Sequence, residues 1–217
     1  EEAMDKKDLD NIPDYEKDSI FWKKHLSDIG QYVKFHLIPS NNYKSLKIPL
    51  ENEALDNFSN QHDLSRFGFL TAIFSLYLIR VNRSEGCLLK TRIPSDGDDL
   101  DRNTILKIEY LENQSFISHI DEVKAVWDIA VEHTKTDIEN YFDEELSYYS
   151  IYDLSRLKDT DFLNGENSAL ALNLYEDSFD LVYNEDLFSD IYMKHMATNI
   201  ESLIDEAISS PNQSICE

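Results

Sequence analysis

Apolar residues recur along this chain at two periods, one near 3.6 and one of 2, and the switches between them mark out its elements. Residues 15–28 read as an amphipathic helix, because Phe21, Trp22, Leu26 and Ile29 recur at helical spacing among Lys and Asp. Pro39 and the pair Asn41 and Asn42 then break the chain, after which 44–50 predicts a strand and 51–60 a short helix turning Leu55 and Phe58 inward. The stretch 67–81 is apolar nearly all round and too long for an ordinary strand, so it predicts a helix buried on most of its surface. Beyond Gly86, two strands (87–93 and 104–111) flank the acidic loop 96–101. Ser115 is placed to cap a long helix running to about 142, with Phe116, Ile120, Val123, Val126 or Trp127, and Ala130 as its inward stripe. Residues 168–175 and 179–183 alternate apolar and polar across the turn 176–178, which predicts an antiparallel hairpin. A last helix spans about 187–209 and ends at Pro211. Strands mixed with large helices favour an α+β sandwich, with helices packed on a mixed sheet.

Composition narrows the picture further. With 217 residues, 41% of them hydrophobic, the chain can bury a sizeable core as one domain or one lobe of a larger one. Twenty Lys and Arg face 43 Asp and Glu, a formal charge of -23. Such a field repels phosphate backbones and anionic headgroups, and no basic patch offsets it, so neither nucleic acid nor a membrane surface is expected as a partner. The two cysteines, Cys87 and Cys216, lie far apart without metal-ligand spacing, which fits a reducing cytoplasm. Residues 1–14 are expected to be a charged tail or an expression remnant.

Several runs resemble the condensation domains of nonribosomal peptide synthetases. Phe21-Trp22-Lys23-Lys24-His25-Leu26 is similar to that family's FWxxxL helix, and the apolar helix 69–80 followed by the strand 88–94 is similar to the helix leading to its GxP strand. Leu181-Val182-Tyr183-Asn184-Glu185-Asp186-Leu187-Phe188 resembles its LxYNxxLF segment, and the run from Leu203 and Ile204 to Pro211 and Asn212 resembles its closing helix and tail. The resemblance implies one lobe of a chloramphenicol-acetyltransferase-like fold, the C-terminal lobe, over residues 15–211, with 212–217 as a tail leading to a following domain. The chain departs from the family after Pro94, where Ser95, Asp96, Gly97 and Asp98 replace its GR, and the stretch before Thr104 is short.

The family's chemistry needs an imidazole within hydrogen-bond reach of the attacking amine, supplied by its HHxxxDG motif. The six histidines here (His25, His36, His62, His119, His133 and His195) include no adjacent pair. One HxxxD occurs, His133 with Asp137, and these two are the candidate catalytic residues; inside a continuous helix they would form an ordinary surface pair. His195 sits where a chloramphenicol acetyltransferase of similar length carries its catalytic histidine, but without the accompanying His, Asp and Gly. No GxSxG elbow, glycine-rich phosphate loop or metal spacing occurs. The aromatics Tyr141, Phe142, Tyr148, Tyr149 and Tyr152 read as helix-end packing ahead of a pocket wall.

The resemblance and the missing histidine pair together imply a partial condensation-like domain in peptide natural-product (antibiotic) biosynthesis, acting as a structural or docking element. Its implied partners are adjacent adenylation and carrier domains, or a second copy in a homodimer. No cofactor is expected in this chain, only phosphopantetheine on partner carrier proteins. Two alternatives stand beside this reading: the C-terminal half of an active condensation domain whose histidine lobe lies outside this chain, and a free-standing CoA-type acyltransferase.

Overall fold

The computed structural model describes residues 13–27, 32, 35–36, 42–50, 53–95, 101–111, 113–136, 138–141, 146–158, 160 and 168–214. Among the described residues, five α-helices stand in chain order: α1 (Asp14–His25), α2 (Glu53–Gln61), α3 (Arg66–Asn82), α4 (Phe116–Glu132) and α5 (Asp190–Ser209). The strands are β1 (Phe35–His36), β2 (Tyr43–Pro49), β3 (Gly86–Ile93), β4 (Arg102–Glu109), β5 (Leu146–Ser147), β6 (Tyr149–Asp153), β7 (Leu170–Leu174) and β8 (Ser178–Asn184). A 3-10 turn covers Ile138–Tyr141. The expected interruption at Pro39 and Asn41 lies outside the described residues.

Six strands form one mixed sheet in the order β2-β8-β7-β6-β3-β4, and β1 pairs with β5 in a separate two-stranded ribbon. β3, β6 and β7 run parallel, while β4, β8 and β2 are antiparallel to their neighbours. The expected hairpin is β7–β8, with Leu172 opposite Leu181. α3 runs across β3 and β6 and touches both α4 and α5; α4 lies over β4 and α5 over β2. The expected α+β architecture is therefore what forms.

α3 is the centre of this layer. Twelve of its residues are buried, an unbroken run from Phe69 to Ile79 among them, as its all-round apolar pattern requires. Ser65 caps it by accepting from the Gly68 N–H at 3.0 Å, and Arg83 ends it in the left-handed region at φ 50. Leu55 and Phe58 of α2 point inward as their spacing predicts. No single described helix is long and apolar enough to cross a membrane.

Two expectations are corrected. α4 stops at Glu132 instead of running to about 142, because side chains from α1 take over its last turn: Trp22 Nε1 donates to the His133 carbonyl at 2.8 Å, and Asp18 accepts from the Lys135 N–H at 2.7 Å. The region of Tyr148, Tyr149 and Tyr152 is not a helix end; Tyr149 and Tyr152 lie in β6, a strand inside the sheet with every residue buried. A strand covered on both faces has no reason to alternate apolar with polar, so period 2 is missing there.

Candidate functional site

Polar side chains gather around His133 and in a cleft at the start of α3, and the two places differ in what they can do. The first surrounds His133, which sits one residue beyond the end of α4. Its Nδ1 donates to Asp18 Oδ1 at 2.9 Å, and its ring stacks on Phe21 with centroids 3.7 Å apart. Asp18 is buried and spends its second oxygen on the Lys135 N–H. Tyr141 of the 3-10 turn reaches back to Ser19, donating to its carbonyl at 3.3 Å. Every one of these bonds fastens α1 to the segment that ends α4 and follows it. His133 thus closes a helix-to-helix joint with its Nδ1, and the partner that orients it is Asp18, far away in sequence. Asp137 lies outside the described residues.

The joint gives a direct prediction. Asp18→Ala would strip partners from the His133 ring and the Lys135 amide, each bond being worth roughly 1–1.5 kcal/mol net. Urea unfolding should show a loss of about 2–3 kcal/mol, with amide exchange in α1 accelerated more than in α3. An unchanged midpoint would mean that α1 is held by its apolar contacts alone.

His25, His62, His119 and His195 do not converge on one site. His119 is fully buried between α3 and α4, with Nε2 2.9 Å from Ser75 Oγ and Nδ1 accepting from Gln114 Nε2 at 3.1 Å. Burial pushes its pKa down to about 4, so the ring is a neutral core bridge. His62 packs on Phe58, His25 stacks on Phe21, and His195 is exposed on α5. Among the described residues, no three His, Cys, Asp or Glu side chains gather as a metal would need.

The second place is a cleft of about 300 Å³ at the start of α3. Leu106 of β4 and Thr71 of α3 form buried parts of its lining, Phe67 and Trp127 meet edge to face at 5.3 Å in its wall, and Arg156 follows the end of β6. The cleft lies at the carboxyl end of β6, the side of parallel strands where ligand sites form. Asp101 draws the loops after β3 and β6 together there: its carboxylate accepts from the Ser95 N–H at 3.1 Å and from the Lys158 N–H at 2.9 Å. Sequence reasoning missed this cleft, since its lining comes from four separated segments and no spacing links them.

No protein-family model matches the chain, and no curated protein matches it by sequence. Solved structures do. The first condensation domain of the calcium-dependent antibiotic synthetase, in complex with a substrate analogue, superposes with a TM-score of 0.75 at 13% identity, over 95% of this chain and 54% of its own length. The X-domain from teicoplanin biosynthesis gives a TM-score of 0.78 at 14% identity, over 96% of this chain and 58% of its own. The four-domain nonribosomal peptide synthetase AB3403 gives 0.75 at 16% identity, over 97% of this chain and 20% of its own. The chain thus spans about half the length of the condensation domains it matches. Over nearly its whole extent it carries the fold of one part of a nonribosomal peptide synthetase condensation domain.

Proposed function

We propose that this chain is a C-terminal condensation-like lobe in a peptide synthetase and serves as a structural and docking element, without itself forming peptide bonds. The observation that carries this reading is the asymmetry of the structural match, nearly all of this chain against about half of each condensation domain. The histidine census supports it, since the chain has no adjacent His pair and the imidazole of its HxxxD is engaged in holding α1. In this reading the lobe works in the cytoplasm beside adenylation and carrier domains, and any phosphopantetheine arm belongs to the carrier.

Docking needs a surface, and one apolar spot is available at the start of α5. Ile191 is 71% exposed there, Tyr192 stacks on Phe188 at 5.8 Å, and Phe188 meets Phe35 of β1 at 5.7 Å. Exposed apolar clusters of this kind mark interaction sites on soluble proteins. Hydrogen exchange on the chain alone, and again within a polypeptide that also carries a neighbouring adenylation domain, should show new protection around residues 188–192 that Ile191→Asp removes. Sedimentation of the chain alone at micromolar concentration tests the alternative cover, a second copy. A strict monomer with no protection in the longer polypeptide would leave the docking reading without support.

A further inference from the structure

The cleft at the start of α3 carries an inference independent of docking: we infer that it binds a small monocarboxylate with an apolar, preferably aromatic, body. Its volume of about 300 Å³ is at the small end of ligand pockets and suits a ring with a short side arm. Its inner lining is apolar, with Leu106, Phe67 and Val123 buried and Trp127 half-buried over them. A flat apolar body gains most here, since Phe67 and Trp127 present an edge-to-face pair that a third ring extends.

Two cations line the same cavity, and they are not equivalent. Lys124 donates to the His62 carbonyl at 2.8 Å, so its ammonium is committed to pinning the turn between α2 and α3 against α4. Arg156 is exposed beyond β6, and among the described residues its guanidinium makes no hydrogen bond or ion pair. A planar five-donor fork beside an apolar cavity matches a carboxylate, which it can grip with two parallel bonds. Asp63 and Asp128 also line the cavity, and Asp128 stands one helical turn from Lys124 on α4. Their charge disfavours a second negative group, which selects monoanions over dicarboxylates and phosphates.

Two tryptophans make binding at this cleft observable. Trp22 lies in the α1 joint and Trp127 in the cleft wall, so an amide-correlation NMR spectrum carries two indole signals that Trp127→Phe assigns. The probes are 4-phenylbutyrate, its neutral amide 4-phenylbutyramide, and the dianion phenylsuccinate. The expected result is a saturable shift of the Trp127 indole with the Trp22 indole unmoved, and phenylbutyrate binding about tenfold more tightly than the amide or the dianion. Arg156→Ala, at an exposed position that leaves the fold intact, should reduce the preference over the amide to near parity while the amide's own affinity is retained. No Trp127 response to any probe, equal binding of acid and amide by the unsubstituted chain, tighter binding of the dianion, or a preference that survives Arg156→Ala would each overturn the assignment.

Discussion

Leu70→Asp or Phe74→Asp is expected to leave the chain unfolded at room temperature. Both side chains are fully buried in α3, the helix that touches the sheet and both flanking helices. An unpaired carboxylate there keeps its charge at a cost of several kcal/mol or takes up a proton at a similar cost, and either is comparable to a domain's whole stability of about 5–15 kcal/mol. The cavity left by the lost apolar atoms adds to it. Ile191→Asp is the matched control, since the same chemical change at a position 71% exposed should alter stability in urea by less than about 0.5 kcal/mol. A soluble, cooperatively folding Leu70→Asp protein would show that α3 is not the centre of the fold.

Acidification from pH 7 to 5 is expected to remove about 2 kcal/mol of stability through His119 alone. In the folded state its pKa is lowered to about 4, by burial first, against an ordinary value of 6.5. In the neutral ring both nitrogens are already engaged, Nε2 at 2.9 Å from Ser75 Oγ and Nδ1 at 3.1 Å from Gln114 Nε2. Above pH 6.5 the ring is neutral whether the chain is folded or not, so its contribution is fully present. As pH falls the unfolded chain takes up a proton that the folded chain refuses, and stability declines until pH reaches about 4, where about 3 kcal/mol has been lost. His119→Gln, whatever its stability at pH 7, should show a slope between pH 7 and 5 that is shallower by up to one proton. Equal slopes would mean that the buried ring takes up its proton as readily as in the unfolded chain.

α3 was legible in the sequence because it is apolar nearly all round over a length no ordinary strand has, α2 because Leu55 and Phe58 share a helical spacing, and the β7–β8 hairpin because apolar and polar residues alternate across its turn. The end of α4 was not legible, because what stops it comes from Asp18 and Trp22, more than a hundred residues upstream. β6 was hidden for a different reason: its tyrosines and serine are buried on both faces, so its sequence carries no alternation to read. The same contrast holds for sites. The spacing of His133 and Asp137 drew attention to an HxxxD pattern, yet the carboxylate that meets His133 is Asp18, a contact made only by folding. The Ser75–His119–Gln114 bridge and the cleft between Phe67 and Trp127 likewise join elements that no linear spacing relates.

A lobe that shares the condensation fold without performing condensation by itself should be inert in a peptide-bond-forming assay. That assay combines the purified chain with an acyl-loaded donor carrier protein and an aminoacyl-loaded acceptor carrier protein, and reads the carrier-bound products by mass spectrometry. No product above the carrier-only background is expected, and the same result is expected for His133→Ala. Product formation by the unsubstituted chain, abolished by His133→Ala in a protein that remains folded, would contradict the non-catalytic role and make His133 a catalytic base.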